Sequence, residues 1–419
     1  MTASHGWMLS LGVFVLPSLS VPVDVSSPFL GINYGDLMAK SIGEGCTQNI
    51  TQTPDEQTRD GFLARLATDD APACLTTSMA LTVVKEEGFR HLKVFEEKLG
   101  LDESFFSPLD AGDLVLTRVS EVFRDADDAA HVWLQLPNGF LKHIRDNSSY
   151  AHDIIALIKE HDDIVDVVIL GNEPFLFPEA AKDEFLPAYG VFKEAASQAQ
   201  LDAHLTTVLA NSVIQNTFPS IDAAEMVPSY LELLEPFLTD LRASSSPVMV
   251  NIFPWFAFSG APVEVGLPYA LGYRDPPIEV DGRNYTFIWD AQYDAVVTAL
   301  DKAGFGDLPL VIGETSWPSD GDNPVYVNKT TAHIHYASVK KRVLMDIGTP
   351  KYPGRQIPVF YFIAFDRMNA TSYGFPPVEQ YLGLHSEEGV AKFDIGSVAE
   401  WGEGDEQVIP HMPNNSLAI

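Results

Sequence analysis

The chain has 419 residues, 46% hydrophobic and 20% charged, which is enough to bury a large core. Its 26 Lys and Arg stand against 58 Asp and Glu, a formal charge of −32. It therefore lacks the basic surface that phosphate neutralisation needs, and nucleic acid is excluded as a partner. The same charge repels anionic membranes and polyanions but not a neutral ligand such as an uncharged glycan.

At the N-terminus, Trp7 to Leu19 is largely apolar and too short to span a bilayer comfortably. Ser18 and Ser20 suit a signal-peptidase site, so residues 1–20 are expected to be a secretory signal, although no Lys or Arg precedes the apolar run. No other run is long enough to cross a membrane, and the tail "MPNNSLAI" lacks a lipid-anchor signal. N-x-Ser/Thr sequons at Asn49, Asn147, Asn284, Asn328, Asn369 and Asn414 agree with a secreted protein, extracellular or cell-wall associated. Cys46 and Cys74 are the only cysteines in the sequence. In an oxidising compartment they are expected to form one disulfide, and without nearby histidines they make a poor zinc site.

Eight short apolar runs follow one another: "PFLGINYG" (28–35), "HLKVF" (91–95), "HVWLQLP" (131–137), "VDVVILGN" (165–172), "HLTTVLAN" (204–211), "VMVNIFP" (248–254), "LPLVIGE" (308–314) and "IPVFYFIAF" (357–365). Several are continuously apolar, as strands buried on both faces are. Stretches with apolar residues at three- and four-residue spacing lie between them, at 150–161, 226–241, 289–303 and 331–347. Strands alternating with helices predict an α/β fold, a (β/α)₈ TIM barrel. An open doubly wound sheet is the rival, but no G-x-G-x-x-G follows the first strand, so a dinucleotide site has no support. One domain is expected over residues 28–398, with an enlarged loop after the first strand and an acidic, loose tail over 399–419.

Barrel enzymes place their chemistry at the C-terminal ends of strands. Glu173 follows the fourth run, after Gly171 and Asn172, and Glu314 closes the seventh, after Gly313. Two carboxylates converging on one bond suit glycoside hydrolysis, in which one must be protonated and the other ionised. Taken singly, each could be a cap or a surface acid. His333 and His335 lie two apart on a helical stretch and so do not share a face. They are expected at the surface, not on a metal, and no metal or cofactor is implied.

The motifs resemble glycoside hydrolase family 17, the β-1,3-glucanases. "LGINYG", "GFRHLKVF", "LQLPN", "VVILGNEP", "VMVNIFPWFAF", "WDAQYDAVVTAL", "VIGETSWPSDG" and "GTPKYPG" occur in that family's order. The resemblance implies a retaining mechanism with Glu173 as acid/base and Glu314 as nucleophile. It also implies that Asn172 bonds the sugar 2-hydroxyl. Tyr34, Phe253, Trp255, Phe256 and Trp317 are candidate sugar platforms, with ordinary core packing as the alternative. The chain departs from the family after the eighth strand, where Asp366 is in step but Arg367 holds the place of a usual Glu. Pro358 replaces a further acid, and Phe253 a tyrosine. The expected partner is a β-glucan and the expected state a monomer. A transglucosylase using the same intermediate and a non-catalytic glucan-binding wall protein are the alternative functions. The loop from roughly Lys40 to Leu75, closed by Cys46 and Cys74, is expected to stand beside the cleft, because loops after barrel strands open on that face.

Overall fold

The structure, a computed structural model, describes residues 29–35, 77–95, 115–125, 129–176, 179–321, 323–368 and 370–410. Cys46, Cys74, the first-loop insertion, residues 1–20 and the sequons at Asn49, Asn369 and Asn414 lie outside them. Parallel strands β1 (Leu30–Gly35), β2 (His91–Phe95), β3 (His131–Leu136), β4 (Val165–Asn172), β5 (His204–Ala210), β6 (Val248–Asn251), β7 (Leu310–Thr315) and β8 (Val359–Tyr361) close into one barrel. Each pairs with its sequence neighbours, and β8 with β1. This is the expected (β/α)₈ barrel. β6 stops at Asn251 because Pro254 begins a helix, and a proline at the first helical turn needs no hydrogen-bond partner.

The helices are α1 (Thr77–Glu86), α2 (Val115–Val122), α3 (Gly139–Asp146), α4 (Ser148–Lys159), α5 (Glu179–Ala199), α6 (Pro228–Ser244), α7 (Pro254–Gly260), α8 (Ile288–Lys302) and α9 (Lys329–Leu344), with shorter turns between some of them. Two of the sequon asparagines cap helices. Asn147 accepts from Ser149 N at the start of α4, and Asn328 forms a capping box with Thr331 at the start of α9. Asn147 and Asn284 are exposed, and Asn328 is partly buried with its amide donating to Pro324 O. Two residues of the tail touch the barrel domain. Asp405 pairs with Lys340 of α9 at 2.7 Å, and Val408 lies against the core. Among the described residues no helix is long and apolar enough to cross a membrane.

The barrel interior is stratified by the two-residue period of its strands. Its lower part is an apolar cluster of Phe29, Trp133, Val167, Ile169, Val208, Met249, Val311 and Phe360. Gly31 is required there, since a Cβ would come within 2.4 Å of the Phe360 ring. Two residues further along their strands come the buried polar side chains Asn33, Lys93, Gln135 and Asn251. Two further still come Phe95 and Phe253, which form the rim together with Phe362. Polar groups therefore sit inside the barrel just below its C-terminal mouth.

Candidate active site

The strands that carry the two glutamates share an irregularity. β4 slips against β5 between Ile169 and Asn172, and β7 slips against β6 between Ile312 and Glu314. A bulge of this kind bends a strand and re-aims the side chain that follows. The glycine in each motif is part of it. Gly171 has φ +75°, and a Cβ there would meet Asn138 Oδ1 at 2.5 Å. A Cβ on Gly313 would meet Asn251 Oδ1 at 2.9 Å. Glu173 itself sits at φ +49°, in the left-handed region, with its N–H donating to Val208 O at 2.9 Å.

The neighbouring amides fix this backbone. Asn138 accepts from Asn172 N at 2.9 Å and donates to Asn172 O at 2.8 Å. Gln135 donates to Gly171 O at 2.7 Å, and Thr207 donates to Leu170 O at 2.7 Å. Asn251 donates to Glu173 Oε1 at 2.8 Å, and its contact to Asn172 Oδ1 is long at 3.5 Å. Asn33 ties the opposite wall by donating to Gly313 O and Tyr361 O, at 3.1 and 2.9 Å.

The two carboxylates have unlike surroundings. Glu314 is buried and accepts from Lys93 Nζ at 2.7 Å, the lysine being fully enclosed. Burial lowers the Lys93 pKa, and the Glu314 charge and hydrogen bond oppose that shift. Glu173 has the Asn251 amide instead of a bonded cation. Burial, and then the charge of Glu314, push its carboxyl up to about 7. The Asn251 hydrogen bond and the Lys93 charge limit that rise. One carboxyl is thus arranged to hold a proton near neutrality while the other is bonded to a cation.

The remaining candidates divide by depth. Phe253 and Trp255 are partly exposed, and Phe256 is 47% exposed, beside the mouth. Phe253 meets Phe256 and Phe362 edge-on at 5.5 and 6.0 Å. Tyr34 is 3% exposed and packs edge-on to Phe365, while Trp317 is fully buried. Trp317 donates to Tyr326 O at 2.9 Å and packs edge-on to Trp255 at 5.2 Å. Neither Tyr34 nor Trp317 turns a ring face to solvent, so the core alternative describes both in this structure. Asp366 is buried, accepting from Lys392 Nζ at 2.6 Å and from Gly383 N at 2.9 Å.

The histidine expectation needs correction. His335 is fully buried beneath Trp317, with burial pushing its pKa down to about 3, and His333 is partly buried against Phe393. The apolar face of α9 is wider than two-residue spacing implied. Among the described residues, no group of three or more His, Cys, Asp or Glu is placed to hold a metal. The sequence reading missed Lys93, Asn138 and Asn251. Lys93 had a signal, being a charged residue inside an otherwise apolar strand.

A closed parallel barrel with paired glutamates at its C-terminal mouth defines the class: (β/α)₈ barrel proteins of the glycosidase type. Residues 118–396 match the sequence profile of the glycosyl hydrolases family 17, and the chain belongs to that family. It is 31% identical over 232 residues to a probable glucan endo-1,3-beta-glucosidase of Arabidopsis thaliana, covering 54% of this chain and 64% of that protein. It is 32% identical over 225 residues to a putative glucan endo-1,3-beta-glucosidase of Hordeum vulgare, covering 51% and 64%. The chain thus spans less than two thirds of these curated relatives. In fold it is similar to a beta-1,3-glucanase and allergen of Cryptomeria japonica pollen, with TM-score 0.66 at 21% identity, over 88% of this chain and 98% of that one.

Proposed function

We propose that the protein is a secreted, retaining glycoside hydrolase that cleaves β-1,3-glucan with Glu173 as acid/base and Glu314 as nucleophile. The observation that carries this is the unequal electrostatics of the two carboxyls, one bonded to a buried lysine and the other raised to about 7. In the first step Glu173 protonates the glycosidic oxygen as its bond to the anomeric carbon breaks, and Glu314 attacks that carbon. In the second step Glu173, now a carboxylate, takes a proton from water. The resulting oxygen nucleophile displaces Glu314.

Asn172, at the strand end beside Glu173, is proposed to bond the 2-hydroxyl. Phe253, Trp255 and Phe256 offer ring faces to the apolar C–H face of a pyranose, while Tyr34 and Trp317 back the wall. The relatives' names support a glucan substrate. The N-terminal apolar segment and the exposed Asn147 and Asn284 support secretion and glycosylation.

The test is incubation with laminarin, mixed-linkage glucan and cellulose, followed by product sizing. Laminarin should be shortened, Glu314→Ala should be inactive, and azide should restore some of its turnover with inverted product. Glu173→Ala should retain activity on substrates with good leaving groups, which need little protonation. Near-normal laminarin activity in both variants would refute the assignment. Longer products at high oligosaccharide concentration would mark a transglucosylase, and binding without any cleavage a non-catalytic glucan-binding protein.

A further inference from the structure

Arg367 stands where the family resemblance calls for a glutamate, and the structure gives this replacement a partner. Its guanidinium donates to Glu379 Oε2 at 3.0 Å, and the two side chains are 7% and 15% exposed. The same guanidinium lies over the rings of Phe362 at 4.7 Å and Phe375 at 5.3 Å.

Glu379 belongs to the single turn Pro377–Tyr381, which is bonded to the extensions of both β7 and β8. Ser319 N donates to Tyr381 O at 3.0 Å, and Ser316 Oγ to Leu382 O at 3.3 Å. Arg367 N donates to Gln380 O at 3.0 Å, and Ile363 N to Leu382 O at 3.2 Å. The turn is therefore fixed beside the strand that carries Glu314. The negative charge of Glu379 acts on Glu173, and Glu314 and Glu379 repel each other.

Among the described residues, the charged groups at the mouth come from several walls. β2 supplies Lys93, the end of β4 Glu173, β7 Glu314, the turn Glu379, and the extension of β8 Asp366 and Arg367. Lys93 is bonded to Glu314 and Arg367 to Glu379, while Asp366 is neutralised separately by Lys392. Among the described residues, Glu173, held by the Asn251 amide, is the carboxyl at this mouth without a bonded cation. A glutamate in place of Arg367 would reverse the charge facing Glu379 and leave two carboxyls competing for the proton.

We infer that Arg367 is a positioning residue: by anchoring Glu379 and offsetting its charge, it limits the influence of that carboxylate on Glu173. The inference rests on the proposed roles of Glu173 and Glu314. It accounts for a departure from the family pattern as a compensated charge change, with Arg367 acting through Glu379.

The test is the pH profile of kcat/KM on laminari-oligosaccharides for the wild type, Arg367→Met, Arg367→Lys, Glu379→Gln and the double variant Arg367→Met with Glu379→Gln. Without its cation, Glu379 should raise the proton affinity of Glu173, so the basic limb of Arg367→Met should move to higher pH. Glu379→Gln removes a negative charge, so its basic limb should move to lower pH. Each displacement should be roughly half a pH unit or more, as nearby charges produce. The double variant should return towards the wild-type profile, and Arg367→Lys should stay near it. Glu379→Gln, whose amide oxygen can still accept from Arg367, keeps the test open if Arg367→Met does not fold. Basic limbs that stay in place in the folded variants, with only kcat or Tm lowered, would overturn the inference while leaving the catalytic pair standing. Glu314→Ala is assayed alongside, and wild-type turnover by that variant would instead overturn the proposed function.

Discussion

Lys93 is the residue on which the unequal charges at the mouth depend. A lysine enclosed at the base of an active-site mouth is costly unless paired, and stripping one partner from such a pair costs about 3–5 kcal/mol because a buried charge is left alone. Lys93→Met should therefore raise the pKa of Glu173, which the Lys93 charge now holds down. Glu314 must be ionised to attack and Glu173 protonated to donate. The basic limb of kcat/KM should accordingly move to higher pH, with a fall of roughly two orders of magnitude at the wild-type optimum. Lys93→Arg should recover part of the loss. A pH-rate series checks this, and a uniform fall with fixed limbs would reduce Lys93 to a packing role. Much of the site was legible at this scale. A glycine and a carboxylate after an apolar run mark a strand end with an unusual backbone, and the bulges at Gly171 and Gly313 explain why. Lys93 showed only as a charge inside an apolar strand, and Asn251 and Glu379 were not legible, because the groups they serve lie far away in sequence and meet them only when the barrel closes.

At the scale of elements, the strands were the most readable part, since continuous Val, Ile and Leu runs have few other places to go than a sheet buried on both faces. The eighth run overstated its ladder. Regular pairing is confined to Val359–Tyr361, and the chain then leaves to carry Phe362, Asp366 and Arg367 around the mouth. Burial of His335 was hidden because position on a helix says little when most of that helix is covered.

The opposite end of the barrel offers a separate prediction. His91 is stacked between Phe29 at 3.9 Å and His131 at 4.8 Å, and burial, then the His131 charge, push its pKa down to about 3. His131 is in turn bonded to Asp166 at 2.9 Å. In the unfolded chain His91 takes a proton below about 6.5, whereas in the folded chain it does so only near 3, so its stabilising effect is lost as pH falls through that window. The loss is up to about 1.4 kcal/mol per pH unit. Glu173 acts in the opposite sense between 4.5 and about 7, so the informative quantity is a difference between variants. His91→Phe keeps a ring in the stack, and its stability relative to the wild type should rise as pH is lowered from 6.5 to 4. Denaturant unfolding at several pH values measures this. A constant difference would show that His91 does not titrate with folding.

For the whole molecule, the barrel brings together residues from β2, β4, β6, β7 and the turn after β8, and the charge of −32 does not repel a neutral glycan. The central claim is that Glu314 becomes covalently bonded to the sugar. The most direct measurement uses a laminari-oligosaccharide fluoride carrying fluorine in place of its 2-hydroxyl, which slows release of the glycosyl-enzyme. Glu314 should displace fluoride from the anomeric carbon, and proteolysis with mass spectrometry should locate one glycosyl group on the peptide containing Glu314. The Glu314→Ala protein should carry none there. A label on another residue, or steady turnover of the reagent with inverted product and no labelled peptide, would contradict the account.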